Sequence, residues 1–431
     1  MSVRESATLA KEAALVLAST KDEARVLALA KIAEALIRDK EAIFQANASD
    51  VERAKRDGLR LPLQKRLLFD EKKLDECVKG LLSLCETPDP LGKTLLAMEL
   101  QKGLELYRVT CPIGVIGVIF ESRPDALVQI ASLCLRSGNA VLLKGGAEAM
   151  ETNHALFSIM HREAAASGLP DGFAVLLESR EDVRELLALD DLVDLLIPRG
   201  SNAFVRHIID NSRIPVLGHA EGICHVYVDR AANLSMAADV VADSKAQYVA
   251  VCNAAETLLV HEEIAERALP LLADALRKAG VTLRGCERTR AIIDCGAADE
   301  SDWDSEYLDY ILSIKIVCSL SEAIGHINRY GSGHTDAIVT DDENAQRTFC
   351  ARVDSAGVFV NCSTRFSDGY RYGFGAEVGI ATGKLHARGP MGIEGLCTYK
   401  YKLIGHGQTV AGQTEYTHKV LHQDCPLEGY E

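Results

Sequence analysis

Residues 114–120 read Gly-Val-Ile-Gly-Val-Ile-Phe and residues 140–143 read Ala-Val-Leu-Leu, two uninterrupted apolar runs that decide the fold. Further apolar runs follow at residues 173–177 and 193–197, and the segments between the runs repeat their apolar residues at helical spacing. Apolar strands that alternate with helices are typical of a parallel sheet covered on both faces. The pattern predicts an α/β unit built on an open, doubly wound sheet.

A second series of the same kind begins at residue 224. It contains an apolar strand at residues 224–229, a helix over residues 234–247, and strands at residues 257–260, 334–339 and 357–360. The chain is therefore predicted to hold two doubly wound units that face each other across a cleft.

The remaining segments read differently. Residues 1–20 and 21–57 have helical periodicity, and the break Thr-Pro-Asp-Pro-Leu-Gly at residues 87–92 ends this helical region. Residues 104–110 alternate apolar and polar side chains, as a strand with one exposed face does. The polar tail from Gly405 is predicted to be irregular.

Composition excludes several classes of protein. A chain of 431 residues, 48% of them hydrophobic, needs more than one core. The net charge of -15 provides no excess of positive charge for nucleic-acid phosphates or an anionic membrane, so neither partner is expected. The 13 cysteines show no Cys-x-x-Cys spacing, and His219 and His225 bracket Glu221 at a spacing that is not a ligand motif, so no metal site is predicted.

The expected location is the cytoplasm. No apolar run approaches the ~20 residues that span a bilayer, and the N-terminal residues do not read as a signal peptide. An odd number of cysteines also favours a reducing compartment with free thiols.

One cysteine stands in a short polar loop. Residues 243–257 read Asp-Ser-Lys-Ala-Gln-Tyr-Val-Ala-Val-Cys-Asn-Ala-Ala-Glu-Thr, which places Cys252 between a predicted helix and a predicted strand. A thiol is reactive when it is partly exposed near N–H dipoles, and inert when it is buried among apolar groups. From this pattern alone Cys252 is either a catalytic nucleophile or a structural thiol.

Two glycine-bearing segments are candidate ligand sites. Gly200 and Ser201 follow a strand and open a helix, where backbone N–H groups bind phosphates, although an ordinary N-capped junction explains them too. Lys144, followed by Gly145 and Gly146, stands at the carboxyl end of a strand, where ligands of open α/β sheets bind. A solvated lysine is the alternative interpretation.

Several long segments, taken together, resemble the gamma-glutamyl phosphate reductase family of the aldehyde dehydrogenase superfamily, and the resemblance covers essentially the whole chain. Residues 218–225 are most similar to the reductase half of the fused plant and animal pyrroline-5-carboxylate synthase. The segments that carry the resemblance are 109–124, 136–146, 197–200, 252–257 (Cys-Asn-Ala-Ala-Glu-Thr), 330–335 (Tyr-Gly-Ser-Gly-His-Thr), 363–369 and 386–390.

The resemblance implies an aldehyde-dehydrogenase-like α/β fold, with two doubly wound open-sheet domains and a small β element for oligomerisation. Residues 1–96 and 113–222 are expected to form the NADPH-binding domain, and residues 223–390 the catalytic domain. Residues 97–112 and 391–431 are expected to form the oligomerisation ribbon and the C-terminal strand and tail. A homo-oligomer follows, because these strands would be exposed edges in a monomer.

The resemblance also implies a reaction of proline biosynthesis, the NADPH-dependent reduction of L-glutamate 5-phosphate to L-glutamate 5-semialdehyde with release of phosphate. Cys252 stands at the nucleophile position, where thiolate attack leaves a thioester. N–H groups around Cys252, helped by Asn253 or Ser122, would stabilise the oxyanions. A separate glutamate 5-kinase is the partner that would supply the substrate. NAD-dependent oxidation of a small aldehyde and a catalytically silent scaffold of the same fold stay open as alternatives.

Roles for further residues come from the same resemblance. Lys144 aligns with the lysine that contacts the adenosine ribose, and Ala147 stands where an acid that favours NAD often follows, so NADPH is expected. His219 stands where aldehyde-oxidising relatives carry the glutamate that activates water. Because that glutamate is replaced, the thioester is expected to be protected from hydrolysis. The implied cofactor-binding residues are Lys144, Gly145, Gly146, Arg199, Gly200, Ser201 and Glu306, the last holding the nicotinamide ribose. The implied substrate-binding residues are Arg123, His219, Arg365 and Arg388, the arginines being forked donors for anions.

Overall fold

The structure, a computed structural model, describes residues 1–218, 221–412 and 416–421. The chain divides into two compact units. Unit 1 is Met1–Leu217, Phe374–Gly379 and Met391–Glu431, and unit 2 is Gly218–Gly373 and Ile380–Pro390. Within the described ranges, no helix is long and apolar enough to cross a membrane.

The helices of unit 1 begin at recognisable signals. Ser2 caps the first helix, because its hydroxyl accepts the Glu5 N–H while the Glu5 carboxylate accepts the Ser2 N–H. Pro124 opens another, at a position where its missing N–H costs nothing. The helices are α1 (Val3–Leu17), α2 (Asp22–Arg38), α3 (Lys40–Arg56), α4 (Leu61–Leu67), α5 (Glu71–Glu86), α6 (Pro124–Arg136), α7 (Met150–Ala166), α8 (Arg180–Leu186) and α9 (Asn202–Asn211).

The parallel sheet of unit 1 confirms the predicted doubly wound pattern. Its order is β5-β4-β3-β6, so the chain runs outward from β3 in one direction and then returns to add β6 on the other side. Ile119 pairs with Lys144 and Phe120 pairs with Arg199, which brings three strand ends to one edge. The strands of unit 1 up to this point are β1 (Thr94–Gln101), β2 (Leu104–Pro112), β3 (Val115–Phe120), β4 (Ala140–Lys144), β5 (Ala174–Leu177) and β6 (Leu195–Arg199).

Unit 2 is built on a second parallel sheet with apolar clusters packed against it. The order of its strands is β10-β9-β11-β8-β7-β12-β13, and Cys224 pairs with Ala255 while Asp336 pairs with His225. The strands are β7 (Cys224–Val228), β8 (Ala255–His261), β9 (Thr282–Gly285), β10 (Gly296–Ala297), β11 (Ile311–Val317), β12 (Thr335–Val339) and β13 (Gly357–Val360). The helices are α10 (Leu234–Ala246), α11 (Ala265–Lys278), α12 (Glu287–Arg290), α13 (Leu320–Tyr330) and α14 (Glu343–Arg352).

Two further strands, β16 (Cys397–Ile404) and β17 (Lys419–Val420), complete the fold of unit 1 in an antiparallel sheet of order β16-β2-β1-β17. The strand β16 pairs with β2 along its whole length. The tail was predicted to be irregular, which is wrong for Lys419–Val420: these residues form β17, because the open edge of β1 offers backbone partners such as the Ala97 carbonyl, which accepts the Leu421 N–H. The short strands β14 (Gly379–Ala381) and β15 (Gly389–Met391) form a separate pair.

Candidate active site

Cys252 lies in the loop of residues 247–254, which leads from α10 into the amino-terminal end of β8. The thiol is half-buried. Gly222 packs directly against it, because a Cβ atom added at Gly222 would lie 2.2 Å from the Cys252 carbonyl oxygen and 2.4 Å from its Cα. The Cys224 thiol donates to the same carbonyl at 3.2 Å. Gly222 and Cys224 therefore hold the backbone around the candidate nucleophile in place.

His334 faces the thiol. Its Nε2 lies 3.2 Å from the Cys252 Sγ, and its Nδ1 lies 2.9 Å from the Thr335 Oγ1. The tautomer that donates from Nδ1 to Thr335 leaves the Nε2 lone pair directed at the thiol. Gly333, with φ +69°, provides the left-handed turn that sets the fully buried ring just before β12. A thiol and an imidazole at this distance are a candidate nucleophile–base pair.

Cys224 differs from Cys252 in its burial. It is fully buried, and that burial, with smaller contributions from Asp336 and Cys252, raises the pKa of its thiol well above the usual value. It remains a protonated donor to the loop. Both thiols lie beside the His334 ring, since the Cys224 Sγ is 3.8 Å from its Nδ1, but of the two only the Cys252 thiol is partly exposed.

Asn253 is buried and supports the loop. Its Nδ2 donates to the Ser367 carbonyl at 2.8 Å, and its own carbonyl accepts the Thr364 hydroxyl at 2.7 Å. Within the described residues, the Asn253 Oδ1 has no hydrogen-bond partner and the Asn253 backbone N–H has no acceptor. The backbone N–H is therefore a candidate donor to an oxyanion beside Cys252, whereas the side-chain Nδ2 is already used.

The predicted anion-binding arginines of unit 2 differ in their surroundings. Arg365 is buried and donates from Nε to the Gln247 Oε1 at 3.0 Å, within the loop that holds Cys252. Burial and then Arg371 lower its pKa, while Asp368 and Cys252 act in the opposite direction. Arg388 is tied to Asp354: its Nη1 lies 3.1 Å from the carboxylate, and its Nη2 donates to the Asp354 carbonyl.

The predicted cofactor residues of unit 1 gather at the carboxyl edge of its sheet. Lys144 ends β4 and is buried, with its Nζ donating to the Gly145 carbonyl. Ser122, just after β3, adopts a left-handed conformation with φ 44°, and its N–H and hydroxyl both donate to the Glu148 carboxylate at 2.7 and 2.5 Å. A Cβ atom at Gly146 would lie 2.1 Å from that carboxylate. At this edge of the sheet, the Ser122 N–H and hydroxyl thus both bind the Glu148 carboxylate.

A second carboxylate occupies the next junction of this edge. Arg199 ends β6, and Glu121 accepts the Ser201 N–H at 3.1 Å. A Cβ atom at Gly200 would lie 2.6 Å from the Glu121 Oε2, so glycine allows the carboxylate to close over the turn. Ser201 stands at the N-cap position of α9, but its side chain makes no capping hydrogen bond. The Ser201 N–H at this helix start therefore donates to a carboxylate of the chain itself, and the predicted phosphate role of Gly200 and Ser201 stays a prediction.

The remaining predicted site residues are dispersed. Glu306 is half-buried in unit 2, in the segment before β11. Arg123 is exposed at the start of α6 in unit 1. His219 lies outside the described residues. The structure thus brings Cys252, Asn253 and Arg365 into one cluster of unit 2, and Lys144, Gly145, Gly146 and Ser122 to one edge of unit 1.

Sequence reasoning missed the residues that hold and face the thiol. His334, Cys224 and Gly222 were given no catalytic or positioning role, although they stand in segments that carried the resemblance. The available signal was the Gly-Ser-Gly-His turn directly before a strand. It would have identified His334 only if β12 had been placed beside β7, which is a matter of sheet order.

Comparisons with known proteins show what this chain is similar to. A family model described as "Aldehyde dehydrogenase family" matches residues 1–300. The gamma-glutamyl phosphate reductase of Pelotomaculum thermopropionicum is 57% identical over 428 residues, which are 98% of this chain and 99% of that protein. That of Acetivibrio thermocellus is 56% identical over 431 residues, 99% of this chain and 100% of that protein. The crystal structure of the gamma-glutamyl phosphate reductase of Thermotoga maritima has a TM-score of 0.93 at 40% identity, and covers 95% of this chain and 100% of that chain.

Proposed function

We propose that this chain, which belongs to the aldehyde dehydrogenase family and within it to the gamma-glutamyl phosphate reductases, reduces L-glutamate 5-phosphate to L-glutamate 5-semialdehyde with NADPH and releases phosphate. One observation carries the chemistry: the Cys252 Sγ lies 3.2 Å from the His334 Nε2. A thiol that can pass its proton to an imidazole attacks an acyl carbon far more readily than an isolated thiol.

The covalent steps belong to Cys252 and His334. His334 Nε2 accepts the thiol proton, and the Cys252 thiolate attacks the acyl carbon of the substrate. The carbon–oxygen bond to phosphate then breaks, phosphate leaves with the bonding electron pair, and a thioester remains on Cys252. When bound, NADPH supplies the hydride that reduces this thioester. Collapse of the resulting oxyanion releases the aldehyde and the Cys252 thiolate, which takes its proton back from His334.

Both tetrahedral oxyanions need donors beside Cys252. The Asn253 backbone N–H, which follows Cys252 directly and has no acceptor among the described residues, is the proposed donor. The Asn253 side chain keeps the loop in place through Ser367. We retain Ser122 as a proposed helper, although its two donors are bound to Glu148. The proposal thus shifts most of the oxyanion stabilisation to the backbone.

The carboxyl edge of unit 1 fits a dinucleotide. The Ser201 and Ser122 N–H groups at two strand ends are held by the Glu121 and Glu148 carboxylates, and a bound pyrophosphate would take over these donors. Lys144, Gly145, Gly146, Arg199, Gly200 and Ser201 would hold the cofactor there, and Glu306 would hold the nicotinamide ribose. NADPH is proposed over NADH because Ala147, which is exposed, leaves no carboxylate at its own position to repel a 2′-phosphate.

Substrate recognition is assigned to arginines and to His219. Arg365 is the strongest candidate, because it is buried against the Cys252 loop through Gln247. Arg388 is proposed in a weaker form, since the anion would compete with Asp354 for it. Arg123 and His219 complete the proposed set. A histidine at 219 in place of a glutamate base leaves the thioester without the group that activates water in aldehyde-oxidising relatives.

Self-association is part of the proposal. The strand β16, the outermost of its sheet among the described residues, presents Tyr399, Tyr401 and Leu403 to solvent, each about half exposed. A homo-oligomer would cover this row, and light scattering that gave only the monomer mass would contradict it. A separate glutamate 5-kinase as the supplier of the labile substrate, and a reducing cytoplasmic location, are proposed with it.

The deciding experiment runs the reaction backwards. Purified protein is given L-glutamate 5-semialdehyde and NADP, with and without inorganic phosphate, and NADPH formation is followed by absorbance. Formation that depends on phosphate is expected, because phosphate must cleave the thioester in this direction. Steady NADH formation from simple aldehydes and NAD without phosphate would instead identify an oxidising aldehyde dehydrogenase, and failure to bind NADPH would indicate a silent scaffold.

A further inference from the structure

A buried ion pair brackets the loop that carries Cys252. Lys245, the penultimate residue of α10, lies 2.5 Å from Glu256, the second residue of β8, and both side chains are fully buried. Every other residue of β8 is also buried, in a strand that reads Ala-Glu-Thr-Leu-Leu-Val-His. A carboxylate and an ammonium in such surroundings are costly, and apolar residues of similar size often serve stability as well. The pair therefore needs an explanation beyond stability.

The Glu256 carboxylate also contacts the turn of residues 306–308. Glu256 Oε1 accepts the Leu308 N–H at 3.3 Å, and Leu308 has the left-handed φ of 51° that is unusual for a leucine. The Tyr307 ring faces the Lys245 ammonium at 5.9 Å. The Tyr307 hydroxyl donates to Asp302 at 2.6 Å, which holds this turn from its other side. The turn that contains Glu306 is therefore held against Glu256 and Lys245.

Electrostatics agree with a pair that depends on mutual contact. Burial, opposed by Lys245, raises the pKa of Glu256 to about 7, and Glu306 contributes in the same direction as burial. Burial also lowers the pKa of Lys245, opposed by Glu256. Each charge is thus kept chiefly by its partner, and removal of one would displace the other.

We infer that Glu256 is a positioning residue, which through Lys245 and Leu308 fixes the Cys252 loop relative to the turn that carries Glu306. The inference rests on the proposed function, in which Cys252 carries the acyl group and Glu306 holds the nicotinamide ribose. Rates of group transfer depend on sub-ångström placement, so a loop and a turn that share one buried anchor keep the two functions in register.

The test compares E256Q and the double variant K245M/E256L with wild type and with Y227F. Y227F is the matched control, because it removes another buried hydrogen bond of the same sheet, from Tyr227 to Asp229. E256Q is expected to lower kcat about tenfold or more and to raise KM for NADPH. In the double variant an apolar pair replaces the ion pair, so its thermal midpoint is expected to stay near that of wild type. Its kinetic loss is expected to equal that of E256Q. Y227F should lower the midpoint and leave kcat and KM within about twofold of wild type.

A second readout does not require turnover. The rate at which iodoacetamide alkylates Cys252, measured on its peptide by mass spectrometry, is expected to change at least about fivefold in E256Q and in the double variant, but not in Y227F. Wild-type kinetics and wild-type alkylation in a folded double variant would overturn the positioning role. A wild-type protein that lacks phosphate-dependent activity would instead overturn the proposed function, and the alkylation rates would then still decide whether Glu256 fixes the loop.

Discussion

In unit 1 the proposed cofactor residues follow their strands, whereas in unit 2 the proposed nucleophile and base precede theirs. Lys144 ends β4 and Arg199 ends β6, so the proposed cofactor groups stand at the carboxyl edge of the sheet. Cys252 precedes β8 and His334 directly precedes β12, so the proposed covalent chemistry stands at the amino edge of the other sheet. Doubly wound sheets usually bind ligands at the carboxyl edge. The proposed site of unit 1 follows this rule, and that of unit 2 departs from it.

The difference has a physical source. At a carboxyl edge, strands lead into helix N-termini, whose N–H groups suit phosphates. At the amino edge of unit 2, the loop that enters β8 is short and is held by its neighbours, through Gly222, Cys224 and the pair of Lys245 with Glu256. Such a loop would hold the proposed nucleophile rigidly without a helix dipole, because His334 is the proposed base.

The largest expected effect tests the amino edge. Cys252→Ala removes the nucleophile and is expected to lower kcat by about a thousandfold or more, since the covalent route is closed. Steady-state reduction of glutamyl phosphate measures it. Cys134→Ala is the control, because Cys134 is a fully buried thiol of α6, and its loss should lower stability slightly and leave kcat near wild type. Equal activity of both variants would show that Cys252 is not the nucleophile.

A smaller loss is expected when the base is removed. His334→Asn keeps a polar group but removes the proton acceptor of suitable basicity at position 334, and kcat should fall about a hundredfold. The rate of the thioester-forming step, followed as a phosphate burst in single-turnover experiments, should fall by the same factor. An unchanged burst with slower turnover would mean that His334 acts after acylation.

The carboxyl edge of unit 1 can be tested through cofactor choice. Ala147→Glu places a carboxylate on an exposed position two residues after Gly145. It should repel a 2′-phosphate and shift the ratio of kcat/KM for NADPH over NADH about tenfold towards NADH, a change of about 1.4 kcal/mol. Ala147→Gln is the neutral control. If both variants keep the wild-type ratio, the 2′-phosphate does not lie near residue 147.

The smallest expected effect is on the pH dependence of stability, and it concerns His326, a histidine of the core. His326 on α13 packs against Trp303 and Tyr330, and burial, with smaller contributions from His225, Lys315 and Arg329, lowers its pKa to about 3. A histidine whose folded pKa lies below its unfolded value stabilises the protein above the unfolded pKa, and that contribution is lost as the pH falls.

The free energy of unfolding of wild type should therefore decrease by on the order of 1 kcal/mol per pH unit between about pH 6 and about pH 4 from this group. Denaturant unfolding of His326→Phe at several pH values should show a shallower dependence. The same variant should keep its kcat within about twofold of wild type. A slope as steep as that of wild type would show that His326 is already protonated in the folded protein.

Much of the fold was predictable because its signals are local. The apolar runs at residues 114–120 and 140–143 correspond to β3 and β4 within a residue, and the tenth helix ends at Ala246, one residue before its predicted end. The strands β9 and β11 and the helix α13 were missed. β9 has four residues, too few to show a period, and β11 carries Ser313 and Lys315 among its apolar residues. These elements are recognised only once their neighbours supply the sheet.

The sequence by itself determined the α/β class, the ends of the main strands and the loop that displays Cys252, because these depend on periodicity and on residues adjacent in the chain. Only the tertiary structure decided that Cys252 meets His334, a residue 82 positions later, and that Glu256 is shared by Lys245 and Leu308. The reason is that sheet order, which places β12 and β11 beside β7 and β8, is set by the packing of the whole unit. No local pattern encodes which strand ends become neighbours.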